Sequence, residues 1–215
     1  MSNLAKAKFN MIEQQIRPWE VLDSRVLDVF DKIEREHFVP EQYKGLAYAD
    51  CQLPLIKGES MLPPTLEGRM LQALNLKTND SVLEIGSCSG YITACLATLA
   101  DQVLSVDCLQ QATDLASSNL QSLKNDAVAK SVRLQTISAL SDIAYKDRFD
   151  AITVCAGSLA AIPENLKNAL AIGGRLFAVT GQAPVKQAQL VTRLSQSEWN
   201  TVTLFETDIP AIACH

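Results

Sequence analysis

From residue 81 onward the chain alternates short apolar runs with longer helical segments, and this alternation most limits the folds open to it. Strands that alternate with helices are typical of a mainly parallel sheet with helices on both faces. The predicted strands are SVLEIG (81–86), QVLSVD (102–107), VRLQTI (132–137), FDAITVCA (149–156) and GGRLFAVTG (173–181). Residues 109–126 and 162–172 are predicted helices, and residues 187–194 and 199–206 are predicted to close one edge as an antiparallel hairpin. The predicted fold class is therefore α/β, with a doubly wound and mainly parallel sheet.

The first 62 residues have a different pattern. Apolar side chains at helical spacing predict helices over residues 3–16 and 23–35, and the charges of EREH (34–37) are predicted to be a solvated helix end. Four prolines within residues 38–64 predict an ordered but irregular segment, and the next helix is expected to begin near Pro63 or Pro64. We therefore expect an N-terminal helical and irregular extension (1–62) and a core (63–215) that together form one compact unit.

Composition excludes several classes of function. The formal net charge is -5 and no stripe of Lys and Arg stands out, which argues against a nucleic-acid partner. The apolar runs are too short to cross a bilayer, and the N-terminus lacks the apolar stretch of a signal peptide, so we expect no membrane partner and a cytoplasmic location. With only His37 and His215, and with no CxxC pair, we expect no metal site and reduced cysteine thiols.

The stretch VLEIGSCSGY (82–91) carries the chemistry. It places Glu84, Gly86 and Gly90 where the first strand of the core turns into a helix, which is where open α/β sheets bind ligands. Glycine lets the backbone turn sharply and approach a ligand closely. The second strand ends at Asp107, whose carboxylate can accept hydrogen bonds from both hydroxyls of a ribose. Together these features predict a ligand that contains a nucleoside.

The charge and spacing of this loop identify the ligand more closely. A pyrophosphate cofactor prefers GxGxxG, whereas the string here is GSCSG, with Ser87 and Cys88 between the glycines. The Glu84 carboxylate would repel phosphate but suits a cation. A nucleoside that carries a sulfonium and an ammonium group fits, and we predict that the cofactor is S-adenosylmethionine, bound in part by Glu84, Ser87, Cys88 and Asp107.

At this point the sequence resembles the protein-L-isoaspartate O-methyltransferase family. The loop is similar to the family's VLEIGTGSGY, and the resemblance covers nearly the whole chain. Further similar blocks follow in the family's order: MIEQQI (11–16), FVPEQY (38–43), AYADCQLPL (47–55), FDAITVCAG (149–157), IPENL (162–166) and GGRLFAVTG (173–181). The resemblance implies a Rossmann-like methyltransferase in which the N-terminal extension helps to build the substrate cleft, with Asp50 near it. It also implies repair of damaged protein or peptide by methyl transfer to the stray α-carboxylate of isoaspartyl residues.

The sequence departs from the family pattern at three places. The family has a Thr-Ile-Ser-Gln-Pro stretch before its first core helix, where this chain has GESMLPP (58–64). Leu62 takes the place of the substrate-contacting serine and has no hydroxyl to donate, and Ser60, at the threonine position, is the candidate catalytic substitute. Cys88 replaces the middle glycine of the loop. Ser138 aligns near the family's adenine-binding acid, with Asp142 as the less favoured stand-in.

These departures leave three interpretations of the function open. A carboxylate acceptor is already ionised at pH 7, so methyl transfer needs no general base and depends on proximity and orientation. Repair of isoaspartyl residues is the leading interpretation, with weak activity expected because of Leu62. The alternatives are a methyltransferase with a different acceptor, or a non-catalytic ligand-binding module on the same fold.

Overall fold

The N-terminal extension begins with a helix whose geometry changes midway. The computed structural model describes residues 3–123 and 125–212. Helix α1 (Asn3–Asn10) continues as a wider π-helical turn over Met11–Ile16, where one regular helix was predicted. The π-helical turn buries Met11, Ile12 and Ile16, whereas α1 itself buries no residue. Packing of these three side chains therefore fixes the part of the segment that lies against the core.

Helix α2 (Ser24–Lys32) is shorter than predicted. It begins where the Asp23 side chain accepts a hydrogen bond from the backbone N–H of Arg25 at 2.9 Å, as an N-cap residue does. It ends because Ile33 is extended, and a short 3₁₀ turn, Arg35–Phe38, follows. Arg35 in that turn is fully buried, so the prediction of a solvated helix end is wrong for this residue.

A short hairpin and a helix join the extension to the core. Strand β1 (Leu53–Pro54) pairs antiparallel with β2 (Ser60–Met61), and we call residues 53–61 the roof hairpin. Helix α3 (Pro64–Leu74) begins at the second proline, as predicted. Proline suits this position because the first backbone N–H groups of a helix have no partner within it.

The core contains a seven-stranded sheet with the order β5-β4-β3-β6-β7-β8-β9. Its strands are β3 (Ser81–Ile85), β4 (Gln102–Asp107), β5 (Val132–Thr136), β6 (Phe149–Val154), β7 (Leu170–Gln182), β8 (Val185–Arg193) and β9 (Trp199–Thr207). The strands from β5 to β7 pair in parallel, and β8 and β9 add antiparallel pairs at one edge. The predictions of a mainly parallel, Rossmann-like sheet and of a closing hairpin are confirmed.

Helices connect most of the parallel strands, and two boundaries differ from the prediction. The helices are α4 (Tyr91–Leu99), α5 (Gln110–Ser122), α6 (Asp126–Ser131) and α7 (Glu164–Ala169). The predicted helix over residues 109–126 ends earlier, and α6 starts after its N-cap residue Asn125, whose side chain accepts hydrogen bonds from the backbone N–H groups of Ala127 and Val128. The predicted helix over 162–172 gives way to β7 at Leu170, because Leu170 already pairs with Phe149 of β6.

Apolar side chains pack on both faces of the sheet. One buried cluster joins the extension to the core and includes Met11, Phe30, Met70, Leu96 and Phe177. A second cluster on the opposite face includes Leu83, Ile152, Leu166 and Leu176. Successive strand residues such as Val82 and Leu83 fall in different clusters, as the alternation of side chains along a strand requires. The extension thus packs against one face of the sheet.

Several residues from the sequence analysis need separate mention. Cys51, Cys88, Cys95 and Cys155 are free thiols, as expected, but Cys108 is disulfide-bonded and departs from that expectation. Cys214 and His215 lie outside the described residues. Among the helices of the described chain, none combines the length and apolar character needed to cross a membrane.

Candidate active site

The loop after β3 has the backbone conformation that its glycines predicted. Gly86 has a φ of 98°, and its N–H donates a hydrogen bond to the carbonyl of Val106 at 2.7 Å. A Cβ at Gly86 would lie 2.3 Å from that of Ala156, so a larger residue does not fit. Gly90 has a φ of 83° and precedes helix α4. The loop therefore brings bare backbone to the carboxyl edge of the sheet, between β4 and β6.

Ser87 and Cys88 join this loop to strand β4. The Ser87 and Ser105 hydroxyl groups are hydrogen-bonded at 2.7 Å. Cys88 has a φ of 48°, a left-handed conformation that favours glycine, and its backbone N–H donates to Oδ2 of Asp107 at 3.2 Å. Burial raises the pKa of the Cys88 thiol well above its usual value, so the thiol is neutral at pH 7. At this position the backbone, rather than the side chain, organises the site.

Asp107 is held rigidly at the end of β4. Its Oδ1 accepts a hydrogen bond from the backbone N–H of Leu109 at 2.9 Å, and Oδ2 accepts the one from Cys88. It is buried and lines a small cavity, which we call the first cavity. Ile137, Ala156 and Ile212 are among the apolar residues of its wall. A fixed carboxylate in an apolar cavity fits the predicted binding of a ribose.

Glu84 lines an adjoining second cavity, which shares Gly86 with the first. The side chain is fully buried, and its Oε2 accepts a hydrogen bond from the Thr93 hydroxyl at 2.6 Å. Its Oε1 is buried without a partner among the described residues. Burial raises the pKa of Glu84 to about 7. A buried acceptor that lacks a donor fits a ligand that brings a cationic N–H group, such as the ammonium group of S-adenosylmethionine.

The substrate-side candidates lie near the start of α3. Leu62 is buried, and both Leu62 and Ser60 line the second cavity. The Ser60 hydroxyl makes one long contact, 3.5 Å to Oε1 of Gln52. Oδ1 of Asp50 accepts hydrogen bonds from the Thr65 backbone N–H at 3.1 Å and hydroxyl at 2.7 Å. Asp50 thus stabilises the start of α3, and its contact with substrate stays a prediction.

The adenine candidates lie apart from the cavity wall. Ser138 is exposed, and its backbone N–H donates to Oδ2 of Asp142 at 2.8 Å. The same Asp142 oxygen accepts from the N–H of Ala139 at 3.0 Å, so this carboxylate stabilises the local turn. Ile137, one residue earlier, lines the first cavity. The role of Ser138 in adenine binding also stays a prediction.

The sequence analysis missed a buried ionic cluster beneath the second cavity. Arg35 is fully buried, forms an ion pair with the carboxylate of Glu67, and donates from Nη2 to the carbonyl oxygen of Leu62 at 2.7 Å. Its guanidinium carbon also lies 4.8 Å from the centroid of the Tyr91 ring. In the sequence these residues stand on separate segments, and nothing in their spacing indicates that they meet.

A second missed residue is Glu59 of the roof hairpin. It lines the first cavity, is only 7% exposed, and has a carboxyl oxygen within 4.8 Å of one of Asp107. Its only sequence signal is that it precedes Ser60 in GESMLPP. Folding of the hairpin, rather than any spacing, brings this carboxyl group to the end of β4.

Comparisons with known proteins agree with this geometry. The sequence profile of the family "Protein-L-isoaspartate(D-aspartate) O-methyltransferase (PCMT)" matches residues 6–207. The chain is 34% identical to protein-L-isoaspartate O-methyltransferase 2 of Marinobacter nauticus over 92% of its length and 88% of the relative's. It is 37% identical to the enzyme of Syntrophus aciditrophicus, over 91% and 88% of the two lengths.

A solved structure supports the fold. It is that of a Plasmodium falciparum chain assigned as a protein-L-isoaspartate O-methyltransferase and crystallised with S-adenosyl-L-homocysteine. The two chains superpose with a TM-score of 0.77 at 18% sequence identity, and the superposition covers 99% of each chain. At this identity the likeness shows that the two chains share a fold.

Proposed function

The chain belongs to the protein-L-isoaspartate O-methyltransferase family, and we propose that it transfers a methyl group from S-adenosylmethionine to the α-carboxylate of isoaspartyl residues in damaged protein or peptide. The family profile and the relatives span most of the chain, and they do not favour a different acceptor or a non-catalytic module. A cytoplasmic location stays a prediction.

The observation that carries the proposal is the pair of acidic side chains beside the glycine loop, Glu84 in β3 and Asp107 at the end of β4. Asp107 is fixed by two backbone N–H groups, and the Oε1 of Glu84 is buried without a donor. Asp107 would hold the ribose hydroxyls and Glu84 the ammonium group, since both carboxylates are acceptors that need donors. When bound, S-adenosylmethionine supplies an electrophilic methyl group on a positively charged sulfur.

The chain's remaining task is to place the acceptor carboxylate. This group is ionised at pH 7, so no base is needed, and holding it close to the methyl donor supplies most of the rate enhancement. The buried residues around the second cavity exclude water from this place. Leu62 offers it only apolar surface, which leaves a desolvated carboxylate short of donors. Ser60, which also lines this cavity, carries a hydroxyl that can replace part of the lost hydration.

The proposal is tested by transfer of a radiolabelled methyl group from S-adenosylmethionine to a peptide that contains isoaspartate. The same peptide with normal aspartate is the control. We expect slow transfer that is selective for isoaspartate, because Leu62 lacks the hydroxyl of the family's serine. Equal transfer to both peptides, or no transfer by a protein that binds the cofactor, would contradict the proposed acceptor.

A further inference from the structure

Glu59 is a buried carboxylic acid that the proposed mechanism does not use. Its backbone is fixed in the roof hairpin, where its N–H donates to the carbonyl of Ile56 at 2.9 Å and its carbonyl accepts from Leu55 at 2.8 Å. A ligand atom from each of Glu59, Cys88 and Asp107 lies within 4.8 Å of the other two. Oε2 of Glu59 is buried without a partner among the described residues. The side chain is thus held in the first cavity, against the residue that we assign to the ribose.

The surroundings of Glu59 are acidic. Asp107 faces it from the end of β4, and the Cys88 thiol faces it from the loop after β3. Glu84, in β3, adds a further carboxyl group near Asp107. The described residues that line either cavity include no Lys, Arg or His. Two ionised carboxylates in contact without a cation repel each other strongly in a buried site, so one of them holds a proton.

The hydrogen bonds decide which carboxyl group holds it. Asp107 accepts one backbone N–H bond on each carboxylate oxygen, so both of its oxygens already face a donor. Oε2 of Glu59 accepts none, and burial together with the charge of Asp107 raises the pKa of Glu59 to about 7. The proton therefore resides on Glu59, which donates it in a hydrogen bond to Asp107.

We propose that Glu59 is a proton-carrying latch on the cofactor pocket, which occupies the ribose acceptor until the cofactor displaces it. This inference rests on the proposed function, because it requires Asp107 to bind the ribose. When a ribose hydroxyl replaces the Glu59 donor at Asp107, the Glu59 O–H bond breaks. The proton leaves for solvent, and Glu59 remains as a carboxylate that favours the cationic cofactor.

The latch makes cofactor affinity depend on pH in a defined direction. Below about pH 7 Glu59 is protonated, the latch is closed, and only the open fraction of the protein binds. Above that pH the latch opens and affinity reaches its limit. For one group that titrates near pH 7, binding at pH 6 is about tenfold weaker than at pH 8.

The test is calorimetric titration with S-adenosylhomocysteine at pH 6, 7 and 8, in two buffers with different enthalpies of ionisation. The wild type should show the tenfold change and release up to one proton per molecule bound. Glu59→Gln keeps the size of the side chain and cannot titrate. The affinity of this variant for S-adenosylhomocysteine should therefore differ less than twofold between pH 6 and pH 8, and binding should release no proton. Glu59→Ala removes the latch and should bind about tenfold more tightly than the wild type at pH 6. Glu41→Gln, at an exposed glutamate outside both cavities, should behave like the wild type.

Three results would overturn the latch. The first is a wild-type affinity for S-adenosylhomocysteine that does not change with pH. The second is a pH dependence of affinity that persists in Glu59→Gln, which would point to Glu84 as the titrating group. A thermal stabilisation by Zn²⁺ that disappears in Glu59→Gln would show that a cation, rather than a proton, neutralises the cluster. If neither the wild type nor any variant binds S-adenosylhomocysteine, the cofactor site itself is wrong. That outcome distinguishes failure of the proposed function from failure of the latch alone.

Discussion

The guanidinium group of Arg35 donates a hydrogen bond to the backbone carbonyl of Leu62, with Nη2 2.7 Å from the oxygen. Arg35 belongs to the N-terminal extension, and Leu62 stands between the roof hairpin and helix α3. The bond therefore ties the extension to the segment that faces the second cavity. It fixes the backbone at the position where the family's serine would lie, so only the Leu62 side chain need change to restore a hydroxyl there.

Leu62→Ser is expected to raise isoaspartyl methylation about tenfold, because one recovered hydrogen bond is worth about 1.4 kcal/mol in the transition state. Leu62→Ala is the matched control, since it also removes the buried side chain but adds no hydroxyl. Both variants should lose about 2–4 kcal/mol of stability. Radiolabelled transfer to the isoaspartyl peptide measures the difference. Equal rates for the two variants, or robust and selective turnover by the wild type, would contradict the assigned role of Leu62.

Asp107→Ala is expected to weaken S-adenosylmethionine binding by about 1.5–3 kcal/mol, the range for the loss of a charge-assisted hydrogen bond. Asp23→Ala is the control, because Asp23 also accepts a backbone hydrogen bond but does not line either cavity. Calorimetry gives both dissociation constants, and circular dichroism checks that each variant is folded. An unchanged constant in folded Asp107→Ala would remove the ribose assignment.

Arg35→Met should destabilise the protein by about 3–5 kcal/mol, because it leaves the Glu67 carboxylate buried without its cation. Burial already raises the pKa of Glu67, and loss of Arg35 would raise it further. A raised folded-state pKa means that the variant is most stable at low pH and loses stability as pH rises. Urea unfolding at pH 5 and pH 8 measures this loss.

The double variant Arg35→Met with Glu67→Leu is the control for that prediction, since it removes both charges. It should recover much of the stability and lose the additional pH dependence. A single variant that is as stable as the wild type at pH 8 would show that the pair contributes nothing to folding.

Glu84 should make the unliganded protein less stable as pH rises from 5 to 8. Its pKa is about 7 in the folded protein, above its usual value of 4.5, so the folded state binds the proton more tightly. Stability is therefore greatest below the unfolded pKa and is lost as pH rises through 7, by at most about 3 kcal/mol. Urea midpoints across this range should fall less steeply for Glu84→Gln than for the wild type. Equal slopes would mean that Glu84 is not the titrating group.

Much of the fold was predictable because it depends on local patterns. The short apolar runs predicted the parallel strands, and Pro64 predicted the start of α3. The glycines at 86 and 90 predicted the turn after β3. Where the prediction was wrong, pairing or packing overrode local preference. Leu170 is a strand residue because Phe149 lies beside it, and Arg35 is buried because Glu67 and Leu62 supply its partners.

The local sequence patterns are sufficient to predict the α/β architecture and to place Glu84, Gly86 and Asp107 at one edge of the sheet, since parallel strands present their carboxyl ends together. Which groups share a cavity, and which of them have partners, depends on how distant segments pack. Glu59 reaches Asp107 because the roof hairpin folds over the sheet, and Arg35 reaches Leu62 from another segment. Protonation depends on burial and on neighbours that are distant in the chain, so the proton on Glu59 has no counterpart in any local sequence pattern.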